Sequence, residues 1–208
     1  EVKVYREPVD TCFNYIVQLL DEAITDLPDV VNNEIDELGR ITKAIAMSVK
    51  AKVLVTAASP LFNGNTDYVG FVDNRGISLF NTTYDQEKWV RAADACKEAI
   101  EICDSLGYVL YNFTPAYTYT VSDETRTQMS IRASVCDKWN SEVIWGNTNS
   151  STTHMQQQGT PYGLDPSYAI NSNVSGNLGA PLRIIEQFYS INGVPISEDK
   201  TWDYTNRY

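Results

Sequence analysis

Three runs of apolar residues at helical spacing, each closed by a proline or glycine, constrain this chain more than any other feature. Val9, Phe13, Ile16, Val17, Leu20, Ile24 and Leu27 recur at the intervals that line one face of an α-helix. Pro8 suits the first turn, where its missing N–H costs nothing, and Pro28 ends the run. Thr42, a residue type that caps helix N-termini, opens a second run through Ala44, Ile45, Val49, Val53, Leu54 and Ala57, which stops at Ser59-Pro60. Asp85 opens a third, with Trp89, Ala92, Ala93, Cys96, Ala99, Ile100 and Cys103 on one side and Gly107 as its stop. The spacing predicts helices over 8–27, 42–59 and 85–105, the first two packed antiparallel. Ala44, Ala46, Ala51, Ala57 and Ala58 let a neighbouring helix approach closely, and Trp89 falls in the core. Residues 33–37 with Gly39 read as an acidic link, and 61–84 as an irregular loop.

The second half changes character. Between Val143 and Leu182 the only formally charged residue is Asp165, and from 146 to 179 Asn, Gln, Ser, Thr and Gly dominate. Loops of this length without secondary structure are usually functional or disordered. Trp145, Tyr162 and Tyr168 interrupt the polar run and favour an ordered, functional loop. The apolar run 108–111 reads as a strand or a packed extended segment. A last helix is predicted over 181–190, with Leu182, Ile185 and Phe188 facing inward and Asn192-Gly193 ending it. The chain thus reads as mainly α, in three parts: a helical scaffold over 1–113, an irregular polar and aromatic region over 114–180, and over 181–208 a helix that begins a truncated C-terminal part.

Composition removes several function classes. The chain carries 16 Lys and Arg against 27 Asp and Glu, a formal charge of −11. That balance argues against nucleic-acid binding and against a basic patch docking on anionic lipid. No stretch of about 18 uninterrupted apolar residues forms a membrane span. The first six residues are not a signal peptide, so the chain is either cytosolic or separated from its targeting segment. Cys12, Cys96, Cys103 and Cys136 form no C-x-x-C pair and a single histidine accompanies them, which disfavours structural zinc; they read as buried small hydrophobes. No G-x-S-x-G, H-E-x-x-H or P-loop pattern occurs, and no catalytic residue, metal or cofactor is assigned. Asn63-x-Asn65-x-Asp67 begins like a calcium loop, but Tyr68 and Asn74 stand where the glycine and the closing glutamate belong, so it reads as a turn after a helix stop.

Trp89, Ala92-Ala93 and Cys96 follow part of the tetratricopeptide pattern, so the helices read as tetratricopeptide-like pairs with long irregular loops. An ordered series of blocks then resembles the SusD/RagB family, the surface glycan-binding lipoproteins of Bacteroidetes. The blocks are Arg6-Glu7-Pro8-Val9-Asp10, Arg40-Ile41-Thr42-Lys43-Ala44, Lys50-Ala51-Lys52-Val53-Leu54 and Ala57-Ala58-Ser59-Pro60-Leu61-Phe62-Asn63-Gly64-Asn65. Tyr84-Asp85, Lys88-Trp89, Ala92-Ala93, Gly107-Tyr108, Asn140-Ser141-Glu142-Val143-Ile144, Phe188 and Asn192-Gly193-Val194-Pro195-Ile196 continue it. The resemblance covers roughly 5–113 and 178–198. It implies an incomplete SusD-like fold, an internal fragment whose lipid anchor lies outside this chain. It further implies a scaffold packed against a TonB-dependent transporter of the outer membrane, with variable loops binding an oligosaccharide or polysaccharide and no enzymatic activity.

A sugar offers hydroxyls to amide side chains and C–H faces to flat rings. Trp145, His154, Gln156, Gln157, Tyr162, Tyr168, Asn171 and Asn173 supply both. Tyr162 and Tyr168 are the expected ring platforms, with His154 and Asn173 as polar partners. Trp145 is either a further platform or the core of a buried strand at 143–145. Two other readings stand beside this one: a tetratricopeptide-type scaffold for a protein partner, and a glycoside hydrolase fragment.

Overall fold

A computed structural model describes residues 4–115, 120–147, 152–160 and 176–206. The chain divides into two compact units, Glu1–Thr148 and Asn149–Tyr208. Among the described residues there are seven α-helices and no strand beyond two isolated bridges, so the fold is mainly α. The first unit holds α1 (Val9–Asp26), α2 (Glu34–Glu37), α3 (Lys43–Ala58), α4 (Gln86–Ser105) and α5 (Asp123–Cys136). The second holds α6 (Thr152–Gly159) and α7 (Leu182–Ile185).

The three long predicted helices form where their apolar stripes and stops place them. α3 packs between α1 and α4 and runs antiparallel to both. At its start, the Lys43 N–H donates to the Pro28 carbonyl just past the end of α1 (2.9 Å). Beyond its other end, the Phe62 ring meets Phe13 in the second turn of α1 edge-on, with centroids 5.1 Å apart. Past that same end Asn63 reaches the start of α4, its side chain accepting from Asp85 N–H (2.8 Å) and donating to Asp85 C=O (2.9 Å). Midway, the Lys50 ammonium reaches Asp21 of α1 (2.7 Å) and Glu98 of α4 (3.8 Å).

The core between these helices is Val17, Ala51, Leu54, Ala58, Ala92, Ala95 and Ala99. The five alanines expected to admit a neighbouring helix, 44, 46, 51, 57 and 58, are all buried. Such a contact brings helix axes close, because interaxial distance follows the side chains at the crossing. Trp89 does not join it. Its residue is 38% exposed, since an interface set by alanines does not open far enough for an indole.

The segment after α3 is irregular, as expected, but tightly held. Gly64 has φ +80°, and a Cβ there would lie 3.0 Å from Tyr84 Cα, so only glycine fits both the backbone and the approach. Asn65 accepts from Asp67 N–H (3.0 Å) and caps a 3-10 turn, Thr66–Tyr68. The Asn63-x-Asn65-x-Asp67 series is therefore a helix-exit clasp. Tyr68 stacks on Phe80 at 3.9 Å, and Phe62 and Phe71 complete the aromatic cluster.

Several expectations need correction. Residues 34–37, read as a link, form a helical turn because Asn33 caps it, accepting from Ile35 N–H (3.0 Å). α5 and α6 lie inside the region read as irregular. α5 has a proper start, Ser122 Oγ accepting from Thr125 N–H (3.1 Å), with Asp123 and Glu124 favoured beside the helix dipole. Its apolar stripe is weak, since only Ala133 is buried while Ile131 and Val135 are exposed. The helix predicted over 181–190 stops at Ile185. Gln187 and Phe188 N–H turn to the carbonyls of Ile184 and Ile185, and Tyr189 pairs with Pro195 in a tight hairpin. The run 108–111 is no strand, with Val109 and Leu110 exposed, and 143–145 is none either. Of the four cysteines only Cys103 is buried; Cys12 and Cys136 are exposed.

Candidate functional site

Five segments of the first unit converge on one cleft of about 370 Å³, one of them Val30 and Val31 after α1. The others are the α2 turn, the link and first turn of α3 (Gly39, Arg40, Thr42, Ile45), Tyr108 after α4, and 139–144 after α5. That volume lies at the small end of ligand pockets, which run from about 300 to 1,000 Å³.

Trp139 dominates the wall that follows α5. Its φ is +50°, the left-handed region, which costs a non-glycine residue about 1–2 kcal/mol. Asn140 holds that turn: its side-chain amide donates to the Ser134 and Asp137 carbonyls (both 2.9 Å), and its oxygen accepts from Glu142 N–H (2.9 Å). Gly146 makes room for the ring, since a Cβ there would come within 3.3 Å of the indole. Trp139 is 37% exposed. Backbone held in a sparsely populated region often marks a functional position.

Trp145 stands beside this cleft. Its indole N–H donates to the Gly39 carbonyl (3.3 Å), and Gly39, at φ +91°, is one of the residues lining the cleft. The residue is 55% exposed, which overturns the buried-strand reading and leaves a ring facing solvent.

Thr42 occupies the N-cap position of α3, as predicted, yet its hydroxyl does not cap the helix. Asn33, Asp85 and Ser122 all do so at their own helices. Thr42 is 5% exposed, and its Oγ1 has no hydrogen-bond partner among the described residues. A buried hydroxyl left unpaired costs about 1–3 kcal/mol. The basic groups nearby are matched: Arg40 pairs with Glu37, and Lys43 with Asp29 at 2.9 Å. The cleft thus combines flat rings, a buried hydroxyl, basic groups that are matched, and the carboxylate of Glu34.

His154 is exposed on α6, in the second unit. The neighbouring Gln158 carbonyl accepts from Leu178 N–H (3.1 Å), and its side chain accepts from Asn177 (2.7 Å). Tyr162, Tyr168 and Asn173 lie outside the described residues. Trp139 and the free hydroxyl of Thr42 were not legible in the sequence. A tryptophan directly before an Asn-Ser turn was the available signal for the first; nothing in the sequence distinguishes a capping threonine from one that does not cap. Among the described residues no helix is long and apolar enough to cross a membrane, and no cluster of His, Cys, Asp or Glu is placed to hold a metal ion.

No protein-family model and no curated protein matches this chain. Among solved structures it is similar to BT4246 of Bacteroides thetaiotaomicron, with a TM-score of 0.72 and 30% identity. The match covers 95% of this chain and 36% of that one. The selenomethionine form of BT4246 gives a TM-score of 0.70 and 29% identity over 95% of this chain and 37% of its own. Nearly the whole chain therefore shares its fold with little more than a third of a Bacteroides protein.

Proposed function

We propose that the chain belongs to a non-catalytic glycan-binding component of an outer-membrane nutrient uptake system, acting with a TonB-dependent transporter. The residue blocks that resemble the SusD/RagB family motivate this reading, and similarity to a Bacteroides protein is compatible with it. The observation that carries it is the pair of partly exposed tryptophans, Trp139 and Trp145, at a cleft whose basic neighbours are already paired. Flat rings stack on the C–H faces of sugars, and a neutral ligand gains nothing from uncompensated charge. In this reading the polar segment 146–179 carries glycan contacts of its own at His154, Tyr162, Tyr168 and Asn173, and a lipid anchor elsewhere in the protein holds it at the cell surface. A glycan array tests it: retention of a defined set of oligosaccharides without turnover is expected, and turnover would promote the hydrolase reading.

A scaffold for a protein partner is favoured by one feature. Tyr15, Ile16 and Leu19 of α1 are exposed, beside an open groove lined by Asn14, Val17, Gln18 and Arg91. In the transporter-coupled reading this helical face is the surface offered to the transporter.

A further inference from the structure

Resting on the glycan-binding reading, we infer that the cleft between the α2 turn and the segment after α5 is a subsite for a sugar residue carrying a protonated amine, with Glu34 as its counter-charge and Trp139 as its platform. The charges around the cleft are sorted unevenly. Arg40, which lines it, pairs with Glu37, and Lys43 beside it pairs with Asp29 at 2.9 Å. Of the carboxylates on α2, Asp36 accepts from the Asn33 side-chain amide (2.8 Å) and Glu37 is held by Arg40. Glu34 is exposed, and its carboxylate has no ion pair or hydrogen bond among the described residues. It is also the only carboxylate of α2 that lines the cleft.

An unmatched carboxylate sets the sign of the ligand. An anion brought there meets repulsion, since the nearby basic groups are already engaged. A neutral sugar leaves the carboxylate to water. A protonated amine gives it a charge-assisted hydrogen bond, roughly twice as strong as a neutral one. The aromatic wall favours the same ligand. Trp139 and Tyr108 both line the cleft, and the face of an indole attracts a cation within about 6 Å of its centre as well as the C–H bonds of a sugar. Trp139 is fixed in place by its left-handed turn, which Asn140 holds, and by the space that Gly146 leaves its ring. The chain's formal charge of −11 raises the local concentration of cations. At about 370 Å³ the cleft takes a ring or two and not a long chain. A lysine side chain offers the same cation but fills only part of that volume and has no C–H face for the indole. An amino sugar supplies the cation, the face and the bulk together. No covalent step is involved.

The test is calorimetric titration of the full chain with the glucosamine trimer, with its fully N-acetylated counterpart and with trilysine, at about pH 6, where the amines are protonated. The parent is compared with Glu34→Gln and Asp36→Asn. Each substitution removes one negative charge from α2, but only Glu34 lines the cleft. The parent should prefer the glucosamine trimer over the acetylated one by about tenfold. Glu34→Gln should abolish that preference and leave the acetylated trimer unaffected, because the amine and the carboxylate act as a pair. Asp36→Asn should keep the preference. Equal affinity for the two trimers in the parent, or a preference that survives Glu34→Gln, overturns the inference and leaves the glycan-binding reading intact. A preference lost equally in Asp36→Asn overturns it as well, since the general field of the chain would then be the cause. Trilysine binding more tightly than the glucosamine trimer assigns the cleft to a basic protein segment and rejects the sugar. A parent that binds neither trimer but retains other glycans on an array rejects the cationic subsite alone, whereas a parent that retains no glycan rejects both.

Discussion

Replacing Gly64 by alanine probes the clasp that joins α3 to α4, and Gly70 supplies the control. Both glycines are left-handed, at φ +80° and +77°. An alanine at either position meets the conformational cost of that region, about 1–2 kcal/mol, partly offset by about 0.4–1 kcal/mol from a less flexible unfolded chain. At Gly70 nothing lies within 4 Å of the new Cβ, so the net loss is about 1 kcal/mol. At Gly64 the Cβ meets Tyr84 Cα and Cβ at 3.0 Å and its N at 3.1 Å. Two of those three atoms are backbone, and that backbone leads into Asp85, which caps α4 and is held from both sides by Asn63. It yields only by moving the start of α4, a strain of about 1–3 kcal/mol, as for overpacked cores. Gly64→Ala therefore loses about 2–4 kcal/mol in all. Urea unfolding followed by far-UV circular dichroism measures both variants. Equal losses would show that the Tyr84 approach carries no strain and that the clasp is not what positions α4.

Two further outcomes follow from the same packing. Lys88 donates to Asp10 (2.6 Å) and to the Phe62 carbonyl (3.0 Å), with a side chain only 13% exposed; Lys88→Met strands both acceptors and should cost about 1–3 kcal/mol in urea unfolding, whereas a loss near zero would show that water satisfies them. In the second unit, hydrogen bonds from Ser190, then Thr201 and Asn192, hold the Asp199 carboxyl well below the usual carboxylate range. Because the folded value is the depressed one, its contribution is complete above the unfolded value near about 4 and is lost as pH falls below that. Amide protection factors across 190–201, corrected for the intrinsic pH dependence of exchange, should thus be unchanged at pH above about 5 and fall on acidification, and Asp199→Asn should remove that dependence; a hairpin whose protection is indifferent to acid in the parent would refute the assignment.

The helical scaffold was legible because its evidence is local. The stripe Val9 to Leu27 is bounded by two prolines, and the alanines of α3 announce a close neighbour before any neighbour is known. Trp89 shows the limit of that logic: periodicity puts it on the right face, but the narrow alanine contact leaves it at the edge. α5 escaped because its apolar residues bury little, so no stripe stands out and only Ser122 marks its start. The helix predicted at 181–190 overran because the Tyr189–Pro195 pairing, a contact across the Asn192-Gly193 turn, competes with helix propagation. Of the expected site residues, Trp145 is exposed, with its indole N–H held by the Gly39 carbonyl. Trp139 depends on a local turn held by Asn140, and Thr42 on a hydroxyl that is buried without capping its helix. A positive φ and an unpartnered hydroxyl exist only once the chain is folded.

The central claim is that this chain binds glycan through flat rings. Calorimetric titration of the protein with the oligosaccharide it retains on an array, against Trp145→Ala, Tyr162→Ala and Tyr168→Ala, tests it most directly. A stacking ring is worth about 1–2 kcal/mol, by analogy with aromatic and base stacking. Loss of the Trp145 ring should therefore weaken binding about tenfold while the helical unfolding transition stays in place, because more than half of that residue is already exposed. Tyr162→Ala and Tyr168→Ala should each produce a similar loss. Parent affinity in all three variants, or an array that retains no glycan at all, would contradict the account.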